Sequence, residues 1–325
     1  METPTVSPLT IHMGDSTSAN ILASIELPAN FQYPNGIARA SDSTLYVGSI
    51  ISGQILRITP EGRTETFFSG SDEVFAATSL RRDESRGILW GASPDFLGIQ
   101  GANGEVTRRS HRIFAINTRS GELLKVIPMP NGGFGNDMAI DPTGGVYVTD
   151  SSRPRIHYLP PEAMQFQTWA EDEQFRSEEI GLAGIALHSS GVLVVGKYSE
   201  GELFKLTPQP QGQPIIEPIF LSRELENPDG MQFAPDGSLL VIEGSIESGN
   251  GRLLQIDVLS PQTEPRLVET LAENLESPVN LTVSGQKIWI SEARIRHRLL
   301  PGQENNIPDR FFIRKFMLQP VRSLS

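Results

Sequence analysis

The strongest constraint in this chain is a sixfold internal repeat. One pattern recurs: a small or polar pair, an apolar pair, a turn rich in Asp, Pro and Gly, then a β-branched run ending in a small or polar residue. Its copies are PNGIARASDSTLYVGS from Pro34, ATSLRRDESRGILWGAS from Ala77, GNDMAIDPTGGVYVTDS from Gly135, LAGIALHSSGVLVVGK from Leu182, PDGMQFAPDGSLLVIEGS from Pro228 and SPVNLTVSGQKIWISEA from Ser277. The first apolar residues, Ile37, Leu80, Met138, Ile185, Met231 and Leu281, lie 43 to 58 residues apart. A repeat of that length is one supersecondary unit that buries its apolar faces only against its neighbours.

Turns such as Asp141-Pro-Thr-Gly and Pro235-Asp-Gly-Ser carry hairpin chemistry, so the segments after them, Val146–Thr149, Leu239–Ile242 and Lys287–Ile290, are expected strands. Third strands follow at Gln54–Ile58, Arg112–Ile116, Arg155–Leu159, Glu202–Leu206 and Arg252–Ile256, and fourth strands at Thr64–Phe68, Leu123–Ile127 and Arg266–Thr270. Four strands repeated six times predict an all-β, six-bladed β-propeller with four-stranded antiparallel blades. Ile21–Leu27 precedes the first copy, and Phe311–Leu318 is a late strand of the sixth. The expected closure places Ile21–Leu27 as the outer strand of blade six, which leaves no open edge. Residues 1–20 are then a tail, and 21–325 one propeller domain.

Composition agrees with this and excludes several classes. The 30 Gly and 24 Pro among 325 residues supply frequent turns, and 38% hydrophobic residues suffice for a large core. A net charge of −12 repels phosphate backbones and anionic lipid, so nucleic acid is not an expected partner. There is no cysteine, which removes disulfides, thiolate metal sites and a Cys nucleophile. No apolar run reaches membrane-spanning length. The first basic residue is Arg39, so no positive leader is evident; a chain whose leader had been removed would look the same, and the compartment stays open.

The first strand of each propeller blade lines the axis, so the residues just before it ring one mouth of the channel. Here they are Asn35, Thr78, Asn136, Ala183, Asp229 and Val279. The second strands end at Ser49, Ser93, Asp150, Lys197, Glu243 and Glu292, and form an expected outer ring on the same rim. Converging Asn, Thr and Asp oxygens suit a hard cation such as calcium, which takes six to eight oxygen ligands. Asn or Asp before Gly is also an ordinary turn residue; it is the sixfold register that aims these at one axis.

The copies PNGIA, GNDMAID and ENPDGMQFAPDG, with YVTDS after the second, resemble the senescence marker protein-30/gluconolactonase family. That family includes diisopropyl-fluorophosphatase and, more distantly, strictosidine synthase-like proteins, and the likeness spans about residues 21–318. The resemblance implies a divalent cation, usually calcium, on the axis, with Asn35, Asn136 and Asp229 at metal positions. It also implies Asp229 as general base or nucleophile and Asn136 as a substrate or metal ligand. Two positions depart from the family pattern: Asn35 stands for a first-blade Glu, and Ala183 for a fourth-blade Asn. Lys197, in the blade that lost that Asn, is expected either to reach the vacancy and pair with Asp229 or to neutralise Glu243 or Asp150 at the rim.

The histidines His12, His111, His157, His188 and His297 are scattered without zinc spacing. His297, in the final loop beside Arg294, Arg296 and Arg298, is the best histidine base. The Asp95–Arg109 insert is expected to overhang the mouth, and Met164–Glu179 to break the repeat as a loop or short helix. Three readings follow. One is a lactone or ester hydrolase, calcium-dependent if the altered site binds the ion, with Asp229, Asn136 and Lys197 catalytic and Thr78, Asp150, Glu243, Glu292 and His297 holding substrate. The second is a metal-free enzyme of the strictosidine synthase-like kind working on a small molecule. The third is a propeller that binds a ligand or protein partner without catalysis.

Overall fold

The computed structural model describes residues 20–100 and 105–318; residues 1–19 of the expected 1–20 tail, residues 101–104 and residues 319–325 lie outside it, while Asn20 already belongs to the closing strand. Six four-stranded antiparallel sheets follow one another. Blade one is Pro34–Arg39, Leu45–Ser49, Ile55–Ile58 and Thr64–Phe68. Blade two is Thr78–Asp83, Ile88–Ser93, Arg112–Asn117 and Leu123–Pro128. Blade three is Gly135–Ile140, Val146–Asp150, Arg155–Leu159 and Gln167–Glu171, and blade four is Leu182–Leu187, Leu193–Lys197, Glu202–Thr207 and Ile215–Ile219. Blade five is Pro228–Phe233, Leu239–Glu243, Gly251–Ile256 and Glu269–Leu275. Blade six is Pro278–Ser284, Lys287–Glu292 and Phe312–Met317, completed by the N-terminal strand Asn20–Glu26, which pairs antiparallel with Phe312–Met317. The first strand of each blade contacts the first strands of its two neighbours, which closes the ring around an axis.

Each interface between blades holds one hydrophobic cluster. The cluster between blades one and two packs Ile55, Val74, Leu80 and Phe114, and that between blades four and five packs Val194, Met231, Val241 and Leu254. These side chains are essentially inaccessible, and burying each contributes about 1.5–3 kcal/mol. Alternation along the strands makes this work, because each sheet has two faces and both meet a neighbour.

Two details differ from expectation. The Met164–Glu179 stretch does not break the repeat: Gln167–Glu171 is the outer strand of blade three, followed by a 3-10 turn at Glu173–Phe175 that buries Phe175. The outer strand of blade five begins at Glu269 rather than Arg266, because Arg266 is taken by a parallel bridge to Leu221. The Asp95–Arg109 insert forms a small hairpin, Ile99–Gln100 with Val106–Thr107, whose base is tied by an ion pair between Arg109 and Asp95. Among the described residues no helix is long and apolar enough to cross a membrane.

One feature common to all six blades sets up the site. Pairing between the first and second strands slips at the start of every inner strand, between Pro34 and Ile37, Thr78 and Arg81, Gly135 and Met138, Leu182 and Ile185, Pro228 and Met231, and Pro278 and Asn280. A bulge leaves residues off the ladder and re-aims their side chains. The bulged residues include Asn35, Asn136, Ala183, Asp229 and Val279. Glycine follows where blades approach closely: a Cβ on Gly184 would stand 2.0 Å from the Asp229 carbonyl oxygen, and one on Gly230 2.7 Å from Asn280.

Candidate functional site

The bulged residues open onto a cavity of about 210 Å³ at one mouth of the axis. Its floor carries Asn35, Thr78, Ser79, Asn136, Ser151, Tyr198, Asp229 and Asn280. Its walls are largely apolar, with Pro94 and Phe96 at the base of the blade-two insert, Phe134, Ile180, Ile246, and Ile295 and Leu299 from the final loop, and they also carry Ser152 and the exposed Glu179. The expected ring of Asn35, Thr78, Asn136, Asp229 and Val279 is therefore brought together, and the insert meets the mouth as anticipated. Ala183 is fully buried and contributes no polar atom.

The floor groups differ in how far they are committed. Asn136 donates from Nδ2 to Ser151 Oγ at 2.8 Å, and Ser151 donates onward to the Leu182 carbonyl at 2.7 Å. That chain leaves Asn136 Oδ1 without a hydrogen-bond partner among the described residues. Thr78 donates to the Ala92 carbonyl at 3.2 Å. Asp229 has no side-chain hydrogen-bond partner among the described residues. Burial, reinforced by the negative charge of Asp137, pushes its carboxyl well above the usual carboxylate range against the opposing Gly230 amide and Arg81. Tyr198, absent from the sequence-based candidates, also lines the cavity; burial and then the charge of Asp229 raise its phenol, so it remains a donor.

Beneath the floor lies a pair the sequence reading missed. Arg81 donates twice from Nη2 to Asp137, at 2.8 and 2.9 Å, and reaches Asn280 Oδ1 at 3.4 Å. Asp137 also accepts from Ser79 Oγ, from the Met138 amide at 2.8 Å and from the Ile185 amide at 3.1 Å. Its carboxylate is 1% exposed and fully saturated. Arg81 lines a second cavity of about 220 Å³ on the far side, so the pair stands between the two.

The outer ring does not face the cavity. All of its residues but Lys197 turn back to hold the loop entering their own blade. Ser49 donates to the Gln32 carbonyl at 2.7 Å, and Ser93 accepts from the Phe75 and Ala76 amides at 3.0 Å. Asp150 accepts from the Phe134 amide at 2.9 Å and pairs with buried His157 at 3.2 Å. Glu243 accepts from the Glu226 amide at 2.7 Å and is gripped by Arg223 and Arg252; Glu292 accepts from the Glu276 amide at 2.9 Å and pairs with Arg314. Burial works to raise Glu243 and Asp150, but these hydrogen bonds outweigh it and hold both below the usual carboxylate range.

Lys197 pairs with Glu200 at 3.6 Å and Glu202 at 3.4 Å, and so meets none of its expected partners, Asp229, Glu243 or Asp150. His297 lies outside the cavity, bonded to Tyr33 Oη at 3.1 Å, with its pKa lowered by burial. Of the outer candidates, then, Asp150, Glu243, Glu292, Lys197 and His297 do not line the cavity and are engaged in contacts of the rim.

Calcium can be tested against this floor. Asp229 is its only carboxylate, Asn35 and Asn136 add two carboxamides, and Asp137 has every oxygen taken by protein donors. Among the described residues no group of three or more His, Cys, Asp or Glu is placed to hold a metal ion. Calcium affinity follows ligand charge and number, and the residues present do not fit such a site.

No protein-family model and no curated protein matches the sequence. Solved structures do match its fold. A gluconolactonase from Xanthomonas campestris superposes with TM-score 0.63 at 14% identity, over 94% of this chain and 95% of that one. A PQQ-bound aldose sugar dehydrogenase from Streptomyces coelicolor gives 0.61 at 14% identity, over 93% and 98%. Virginiamycin B lyase from Staphylococcus aureus gives 0.57 at 16% identity, over 91% and 99%. The architecture is thus the six-bladed propeller that gluconolactonases also use; at these identities the likeness establishes the fold.

Proposed function

We propose that the axial cavity is the active site of a hydrolase acting on a small lactone or ester with a largely apolar body. The observation that carries this is the Asp229 carboxyl, which accepts from the Gly230 amide but has no side-chain partner among the described residues, set among carboxamide and hydroxyl groups at the floor of a largely apolar-walled cavity of about 210 Å³. Such a shape suits a compact molecule with one polar end. That several structural neighbours are enzymes supports a catalytic reading of the chain.

In this reading Asp229 accepts the proton of a water molecule as it adds to the substrate carbonyl carbon. Tyr198 donates a hydrogen bond to the carbonyl oxygen as it gains charge, and Asn136 Oδ1 accepts from a substrate hydroxyl or the attacking water. Collapse of the tetrahedral adduct breaks the bond to the ring or ester oxygen, which takes the proton back from Asp229. A raised carboxyl is a stronger base than an ordinary one once ionised.

The test is a panel of apolar γ- and δ-lactones and short aryl esters, assayed in chelator. Asp229→Asn should lower kcat/KM by about 100-fold or more while leaving the protein folded. Turnover unchanged in that variant would overturn the assignment. Tight binding of panel compounds with no turnover would favour a ligand-binding propeller.

A further inference from the structure

We propose that Arg81 is the axial cation of this propeller, a built-in positive charge that serves under the cavity floor in place of a bound divalent ion. The proposal builds on the active-site reading above, but its test reads cation binding without turnover, so the two can fail separately.

Geometry carries the argument. The guanidinium is fixed by two hydrogen bonds to Asp137 and a third contact to Asn280, which itself lines the cavity. Asp137 in turn receives Ser79, another floor residue, and the Ile185 amide from blade four. The pair therefore joins residues from blades two, three, four and six at the axis. A buried ion pair returns little net stability once desolvation is counted; what it does fix is the location of charge. A guanidinium held this way needs no reorganisation when negative charge develops above it. It also uses up Asp137, a buried carboxylate that, with Asp229, could have made a two-carboxylate cation site. The fourth-blade position Ala183, which offers no donor, fits the same account.

The consequence is an exchange relation between guanidinium and metal. Removing Arg81 leaves Asp137 uncompensated beside Asn280 and facing the charge of Asp229, and these offer oxygens of the kind that hard cations take. Wild-type protein, Arg81→Ala and Arg81→Lys should be stripped with EDTA and titrated with calcium chloride and with magnesium chloride, by calorimetry and thermal melting. Wild type and Arg81→Lys should show no axial binding. Arg81→Ala should bind calcium, with a melting temperature raised by roughly 3 °C or more at saturating ion. Should Arg81→Ala fail to accumulate folded, its refolding yield from urea should rise when calcium is present. Calcium binding by wild type that disappears in Asp229→Ala overturns the proposal, as does an Arg81→Ala protein whose melting and refolding ignore calcium.

Discussion

The two rings of the mouth come from neighbouring positions of one repeat, yet they do opposite things. The inner ring, on the bulged first strands, holds a single charge and leaves polar capacity uncommitted: among the described residues Asp229 accepts from the Gly230 amide but has no side-chain partner, and Asn136 Oδ1 has no partner. The outer ring, at the ends of the second strands, holds Asp150, Glu243 and Glu292, all essentially inaccessible and all satisfied by loop amides and cationic or potentially cationic side chains. Charge density alone therefore points to the ring that does not line the cavity. What separates function from scaffold here is unfulfilled hydrogen-bonding capacity facing a cavity, since buried polar groups elsewhere are nearly always paired.

The sharpest way to break this contrast is to remove an outer carboxylate. Glu243→Ala leaves Arg223 and Arg252 without their shared partner and the Glu226 amide without its acceptor. A loss of about 3 kcal/mol in unfolding free energy is expected, read from urea denaturation, with turnover by the folded fraction unchanged. Loss of activity at unchanged stability would return Glu243 to the substrate site.

A smaller effect, of opposite sign for the two rings, is expected in the pH dependence of stability. Asp229 is raised, so between the ordinary carboxylate pKa and its folded value the unfolded chain ionises while the folded protein keeps its proton. Its contribution is thus fully present below the unfolded pKa and declines as pH rises through that window. Asp150 and Glu243 are lowered, so their contributions are present above the unfolded pKa and lost as pH falls through the folded values. Urea midpoints measured in chelator across this range should show Asp229→Asn removing the decline at higher pH. Identical profiles for Asp229→Asn and wild type would mean that its carboxyl is not held in the environment described.

Much of this was legible in the sequence, for a definite reason. Hairpin turns and β-branched runs have local signatures, so the six blades, their strands and the closing N-terminal strand could be placed, and with them the inner ring from Asn35 to Val279. The side-chain directions of the second-strand ends could not, because the loops they anchor lie 16 to 18 residues away and no local pattern pairs Glu243 with Glu226 or Asp150 with Phe134. Asp137 and Arg81 were missed for a related reason. The bulge at Asn136 and Asp137 leaves two adjacent residues off the ladder, and only the assembled ring brings Asp137 onto an arginine 56 positions earlier. Tyr198 carried one usable signal, its place just past the end of a second strand.

Lys197 gives the finest test of the same contrast, since it is the one cation at an outer-ring position. The expectation that it fills the place left at Ala183 required its ammonium to turn inward; the structure turns it along the rim to Glu200 and Glu202, both partly solvated. Pairs of that kind are worth at most about 1 kcal/mol, because water screens them and holding long side chains costs entropy. Methionine keeps most of the buried stem and removes only the charge. Lys197→Met should therefore shift stability by less than about 1 kcal/mol and leave kcat/KM and ligand affinity at their wild-type values. A large loss of ligand binding in that variant, with stability intact, would place the ammonium in the cavity and move the boundary between the two rings by one residue.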